Sequence, residues 1–199
     1  MKKNRGSIIV ESTLIYGIVF ILILIAYLTS ISIVKTEAEM TSDDVISSEL
    51  AVYKDINFDL LARSNDLKLL VITDKETALK TFQIYLQENL NLKEDFKPKS
   101  ENYNFIKSRV NIESFIIYNV YENGIEIFKY EEKFNSEKKE MIGVWDKEQE
   151  RKAKGTVITP KGNTVEHTTI YAKIGFTINP IFKSKNYVTV EEESDILKE

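Results

Sequence analysis

Lys2-Lys3-Asn4-Arg5-Gly6-Ser7-Ile8-Ile9-Val10-Glu11, running into an uncharged stretch over residues 12–34, decides how this chain is organised. Three cations come first, then a glycine, then one carboxylate five residues past the glycine, then 23 residues without a formal charge. As a helix that stretch is about 35 Å long. It is long enough to cross a hydrocarbon core of about 30 Å with modest tilt. Ile, Leu, Val and Phe dominate it, no proline breaks it, and Gly17, Ser30 and Ser32 are small interruptions that permit close helix contact. Lys2, Lys3 and Arg5 precede the stretch, whereas Lys35 beyond it is followed by Glu37, Glu39, Asp43 and Asp44. This asymmetry predicts a single-pass protein of the cell membrane, with a cytoplasmic N-terminus and an extracytoplasmic C-terminal domain. A secretory signal peptide also opens on cations, but its apolar core is usually about 7–15 residues, shorter than this run, and no small-x-small site follows the run cleanly.

Glu11 needs its own account. A membrane anchor uses the cations and the apolar run but has no use for a carboxylate, which near the membrane calls for a partner or a purpose. Placing it at the hydrated inner interface explains the charge but not the spacing. If the chain is cut after Gly6, Ser7 becomes the N-terminus and Glu11 lies one helical turn further on, close to the positive end of the helix dipole. A free amine and a carboxylate at one end of an apolar helix would each neutralise its counterpart on a neighbouring copy, making the packing of identical helices directional.

Gly6 followed by Ser7-Ile8-Ile9-Val10-Glu11 and an apolar helix resembles the class III signal of type IV pilins. In its wording, Arg5-Gly6-Ser7-Ile8-Ile9-Val10-Glu11-Ser12 more nearly resembles the TadE-like proteins of tight-adherence pilus systems, which favour a small residue after the glycine, than conventional type IV pilins. The resemblance covers about 35 of 199 residues. It implies cleavage after Gly6 by a prepilin peptidase, Ser7 as the mature N-terminus and Glu11 as the carboxylate that guides assembly. The partners it implies are the membrane, the peptidase and other pilin or pilus-assembly subunits, with a location in the cell membrane or in a pilus. The chain is longer than the very small major pilins of such systems, which points to a minor pilin or an assembly factor.

Composition narrows the rest. The chain has no cysteine, so disulfides, thiol catalysis and cysteine metal sites are excluded. Setting aside Lys2, Lys3, Arg5 and Glu11 leaves 24 basic and 30 acidic residues, and no nucleic-acid partner is expected from that balance. His167, the single histidine, lies in a strand-like stretch and reads as a partly exposed strand residue. There is no Gly-x-Ser-x-Gly elbow and no glycine-rich phosphate loop. Glu191-Glu192-Glu193 with Asp195 lacks the spacing of a calcium loop and reads as a solvated acidic tail. Tyr118, Tyr121, Phe128 and Tyr130 read as strand packing rather than as a carbohydrate platform. No catalytic, cofactor or metal site is expected, and the protein is not read as an enzyme.

The expected fold is α+β: an N-terminal transmembrane helix, an extended helical region, then a small antiparallel β-sheet domain. Its parts are a cytoplasmic leader (1–6), the pilin-like transmembrane helix (7–34), a helical stalk and packing helix (35–97) and an extracytoplasmic antiparallel β domain (98–199). Apolar residues at helical spacing from Ala38 through Val45, Val52 and Leu60 can continue the first helix; polar residues at Thr41-Ser42-Asp43-Asp44 and around Asn57 could divide it, and the spacing leaves continuity open. Thr73-Asp74-Lys75-Glu76 reads as a capping box for a helix that ends before Pro98. Residues 108–121 and 125–134 read as a hairpin with a type I′ turn at Asn123-Gly124. Residues 135–154 read as an exposed charged connection or an irregular edge, 155–178 as a second hairpin around Pro160-Lys161-Gly162-Asn163, and 187–191 as a last strand. The functional expectation is a pilin-like protein assembled through its hydrophobic helix. The alternative is an uncleaved single-pass protein with an extracytoplasmic binding or sensing domain.

Overall fold

The computed structural model describes residues 5–63, 70–100, 105–136, 140–146, 150–179 and 185–195. Its first element, α1 (Arg5–Val52), is a single helix of 48 residues, about 70 Å long. The short polar residues that could have divided it near Thr41 are absorbed by it. The hydroxyls of Thr29, Ser30, Thr41 and Ser48 each donate to the carbonyl four residues earlier, at 2.7–2.9 Å, a bond that leaves the helical ladder in place. Thr41 and Ser42 therefore do not cap a second segment. The chain does break after Val52, passing through a 3-10 turn (Tyr53–Asp55) into the short α2 (Phe58–Arg63). There Asn57 Oδ1 accepts from the Leu60 amide at 3.0 Å, as an N-cap does.

Helix α3 (Lys75–Asn89) is capped by Asp74, one residue later than the capping box predicted. The Asp74 carboxylate accepts from the amide and the hydroxyl of Thr77, at 3.0 and 2.7 Å, and those bonds hold its pKa below the usual range. Thr73 is instead used across the chain, its hydroxyl oxygen accepting from Asn57 Nδ2 at 3.1 Å. An anionic acceptor at the positive end of the helix outcompetes a hydroxyl one position earlier.

Among the described residues six antiparallel strands follow: β1 (Asn111–Tyr121), β2 (Gly124–Asn135), β3 (Glu140–Trp145), β4 (Glu150–Lys152), β5 (Thr169–Ile178) and β6 (Asn186–Ser194). They form one sheet in the order β3-β2-β1-β5-β6, with β4 also pairing on β2. The first hairpin is present, but Tyr121 pairs with Gly124, so Glu122 and Asn123 form the loop and Asn123 does not adopt the positive φ of a type I′ turn. Gly124 instead opens β2 at φ 152°, and a Cβ there would lie 2.8 Å from the Lys152 carbonyl oxygen of β4. The glycine thus serves a close strand approach rather than the turn. Part of the expected charged connection forms β3 and β4, where Trp145 stacks edge-on against Tyr130 at 5.4 Å. The second hairpin shrinks to the Ile158–Thr164 bridge beside a turn closed by Gly162 N–H to Thr159 O at 2.9 Å.

Residues of both 35–97 and 98–199 build one core on one face of the sheet, where Val45, Val52, Ile72, Phe82 and Leu86 meet Phe115, Ile117, Ile170, Ile174 and Phe176. Val34, at the end of the uncharged stretch, packs on the same cluster. Alternation along the strands sends Ile116, Tyr118, Ile125 and Tyr171 to the opposite face. There Val157 and Val165 cover them. Both faces of β1 are thereby buried, which is why 115–120 read as a nearly continuous apolar run. The N-terminal half of α1 stands apart. Leu14, Ile15, Ile18, Phe20 and Leu22 are all exposed, and the helix is long and apolar enough to cross a membrane.

Candidate functional site

Two places carry unusual chemistry for their surroundings. At the first, the N-terminal end of α1, the backbone is helical from Arg5, so Gly6 and Ser7 lie in the opening turn and Glu11 follows one turn after Ser7 with its side chain exposed. Gly6, Ser7 and Glu11 are thus brought to one end of one helix, remote from the sheet. Beside them runs a shallow apolar groove lined by Val10, Thr13, Leu14, Gly17, Ile18 and Ile21. A Cβ added at Gly17 would meet nothing within 4 Å. The notch is therefore open to a side chain or a helix from outside, in the manner of small residues at helix crossings.

The second place lies where the other half of α1 crosses the edge of the sheet. Val45, Ser48, Glu49, Val52 and Tyr53 recur at intervals of three and four residues and are all buried, forming the face that helical periodicity turns toward the core. Glu49 is the exception in chemistry: it is fully buried and neither carboxyl oxygen has a hydrogen-bond partner. The Ser194 hydroxyl and the main chain of Ala172 lie near it and offset part of the cost, yet burial pushes its pKa well above the usual carboxylate range. One turn on, the Tyr53 hydroxyl sits 2.8 Å from the carbonyl oxygens of both Thr168 and Ser194, and burial raises its pKa too. Ser42 donates to Glu192, and Lys161 pairs with the same carboxylate at 2.5 Å. On the far side of α1, Asn89 Nδ2 reaches the Asp44 carbonyl and the Ser48 hydroxyl at 3.2 and 3.1 Å.

The acidic run is therefore not a solvated tail. Residues 191–194 belong to β6, and the strand's two-residue period divides their work. Glu192 turns toward α1 and Lys161, while Glu191 accepts from the Tyr171 hydroxyl at 2.9 Å and Glu193 from Asn163. Each carboxylate meets a donor across the strand or loop, which the local sequence does not reveal. His167 is half-buried just before β5, and its carbonyl accepts from the Thr169 hydroxyl at 2.8 Å. Phe128 and Tyr130 pack on the main core and Tyr118 in the smaller one. Among the described residues no group of three His, Asp or Glu side chains is placed to hold a metal ion.

Glu49 was missed by sequence reasoning although a signal was present. It lies four residues after Val45 and three before Val52, so it occupies the apolar stripe itself. Comparison with protein-family models, with characterised proteins and with solved structures finds no match.

Proposed function

We propose that this chain is a pilin-like membrane protein, a minor pilin or pilus-assembly subunit of the TadE-like kind, cut after Gly6 by a prepilin peptidase and assembled through its N-terminal helix. In this reading the leader is cytoplasmic, residues 12–34 cross the cell membrane and the α+β head stands outside. The observation that carries it is the position of Glu11. It is one carboxylate, five residues past Gly6, on a helix whose surroundings are otherwise apolar and exposed. After cleavage, the Ser7 amine and the Glu11 carboxylate of adjacent copies neutralise each other and set the register between helices. The groove around Gly17 gives the lateral contact its close approach.

The deciding experiment is the N-terminal mass of the membrane-extracted native protein from cells with and without a prepilin peptidase. A chain that begins at Ser7 only when the peptidase is present supports the reading. One that begins at Met1, or lacks only Met1, in both strains overturns it and leaves an uncleaved anchor with an external binding or sensing domain.

A further inference from the structure

Glu49 sits where a carboxylate is least welcome. It is enclosed between α1, β5 and β6 with both oxygens unpartnered, and an isolated carboxylate in such surroundings takes up a proton rather than bear the cost of desolvation. We propose that the docking of α1 on the β5–β6 edge is coupled to the binding of one proton by Glu49, so that the head grips its helix more tightly in acidic than in alkaline surroundings.

The groups that face Glu49 balance its charge only in part. On its own helix the near ionisable neighbour is Tyr53, whose hydroxyl is occupied by the Thr168 and Ser194 carbonyls. From β5 come the Ala172 backbone and, less closely, the Tyr171 hydroxyl, already bonded to Glu191. From β6 come the Ser194 hydroxyl and Glu192, a second carboxylate that disfavours a charge on Glu49, with Asp195 beyond the strand's end adding a further negative charge near Tyr53. From the loop comes Lys161, the one cation acting on Glu49 among these groups, and it is held by Glu192 at 2.5 Å. From α3, Asn89 is uncharged and engages Ser48.

The direction follows from linkage. Docked, Glu49 holds its proton well above the ordinary carboxylate range, whereas undocked and hydrated it titrates near the usual value of about 4.3. The docked form therefore binds more protons. Its advantage is complete below the ordinary glutamate pKa and is lost as pH rises toward the docked value, by about tenfold in the docking equilibrium per pH unit. This coupling depends on the head alone and holds whether or not the chain enters a pilus.

The test exploits the absence of native cysteine. Val45→Cys places one thiol under the α1–sheet contact, and its rate of reaction with a water-soluble thiol reagent reports how often that contact opens. It is measured on the full chain in detergent micelles, in the wild-type and the Glu49→Gln background. Thiol ionisation cancels in the ratio of the two rates. We expect that ratio, wild type over variant, to climb about tenfold per pH unit from mildly acidic to mildly alkaline pH. A ratio independent of pH overturns the proposal. Should Glu49→Gln fail to fold, infrared spectra of the unsubstituted chain decide instead. A protonated-carboxyl band present in the folded protein at neutral pH and lost on unfolding supports the coupling, and its absence overturns it.

Discussion

The side-chain amide of Asn119 and the main chain of Ile72 bond each other twice: Asn119 Nδ2 donates to the Ile72 carbonyl at 2.8 Å, and the Ile72 amide donates to Asn119 Oδ1 at 2.9 Å. Both residues are fully buried, so this pair ties the segment before α3 to the C-terminal part of β1. Asn119→Ala would leave a buried donor and a buried acceptor without partners, each costing about 1–3 kcal/mol. The expected loss is about 2–4 kcal/mol of head stability, read from denaturant unfolding. A change below about 0.5 kcal/mol would mean that the segment is held by other contacts.

Two strand glycines are covered by tyrosine rings and should differ in tolerance. A Cβ on Gly143 would fall within 2.5 Å of three atoms of Tyr130, a buried ring wedged against Trp145. A Cβ on Gly175 would meet the Tyr187 hydroxyl and a Glu113 oxygen, both ends of side chains at the surface that can swing aside. Gly143→Ala is expected to cost about 1–3 kcal/mol, as overpacking does, and Gly175→Ala less than about 1 kcal/mol. Thermal unfolding of the two variants side by side checks the order.

Arg109 forks onto Glu132 with two bonds of 2.9 Å, lies over the Phe96 ring and bonds Asn111 at 2.6 Å. The Glu132 side chain is only 6% exposed. Arg109→Lys keeps the charge but cannot reproduce the planar fork, with an expected loss of about 1 kcal/mol. Arg109→Met strands the carboxylate and should cost more, about 2–3 kcal/mol. Wild-type stability in Arg109→Lys would show that the fork geometry contributes nothing, and equal losses in the two variants that the retained charge contributes nothing.

If Glu11 guides assembly, Glu11→Ala should leave membrane insertion and head folding intact while reducing co-purification with the assembly complex. Recruitment equal to wild type would remove Glu11 from that role.

Filling the notch is the complementary change. A Cβ at Gly17 meets nothing within 4 Å and the site is remote from the sheet, so Gly17→Leu should leave the folding of the head unchanged. Crosslinking between copies through the N-terminal helix should fall if helices approach at Gly17, and persist if they do not.

Much of the α+β order was legible because it rests on long-range periodicity. A charge-free run, helical stripes through Val45 and Phe82, and alternating strands are signals spread over many residues. What escaped was set by partners distant in the chain. Asp74 displaced Thr73 as the cap because Asn57 occupies Thr73, and Gly124 serves β4 rather than the turn. The acidic run joined β6 because Tyr171, Asn163, Ser42 and Lys161 supply its donors. At the N-terminal end the reading came from spacing and resemblance, whereas Glu49 was readable only by asking which stripe it falls on.

The continuity of α1 and the packing of Val34 on the head leave no slack between the exposed apolar half of the helix and the head. A head of roughly 165 residues is about 40 Å wide, several times the roughly 8–10 Å between touching helices. Copies standing level can bring their rods together only along the outward side of the helix, where Met40, Asp43, Ser47 and Leu50 are exposed. On every other side the width of the head holds level copies apart.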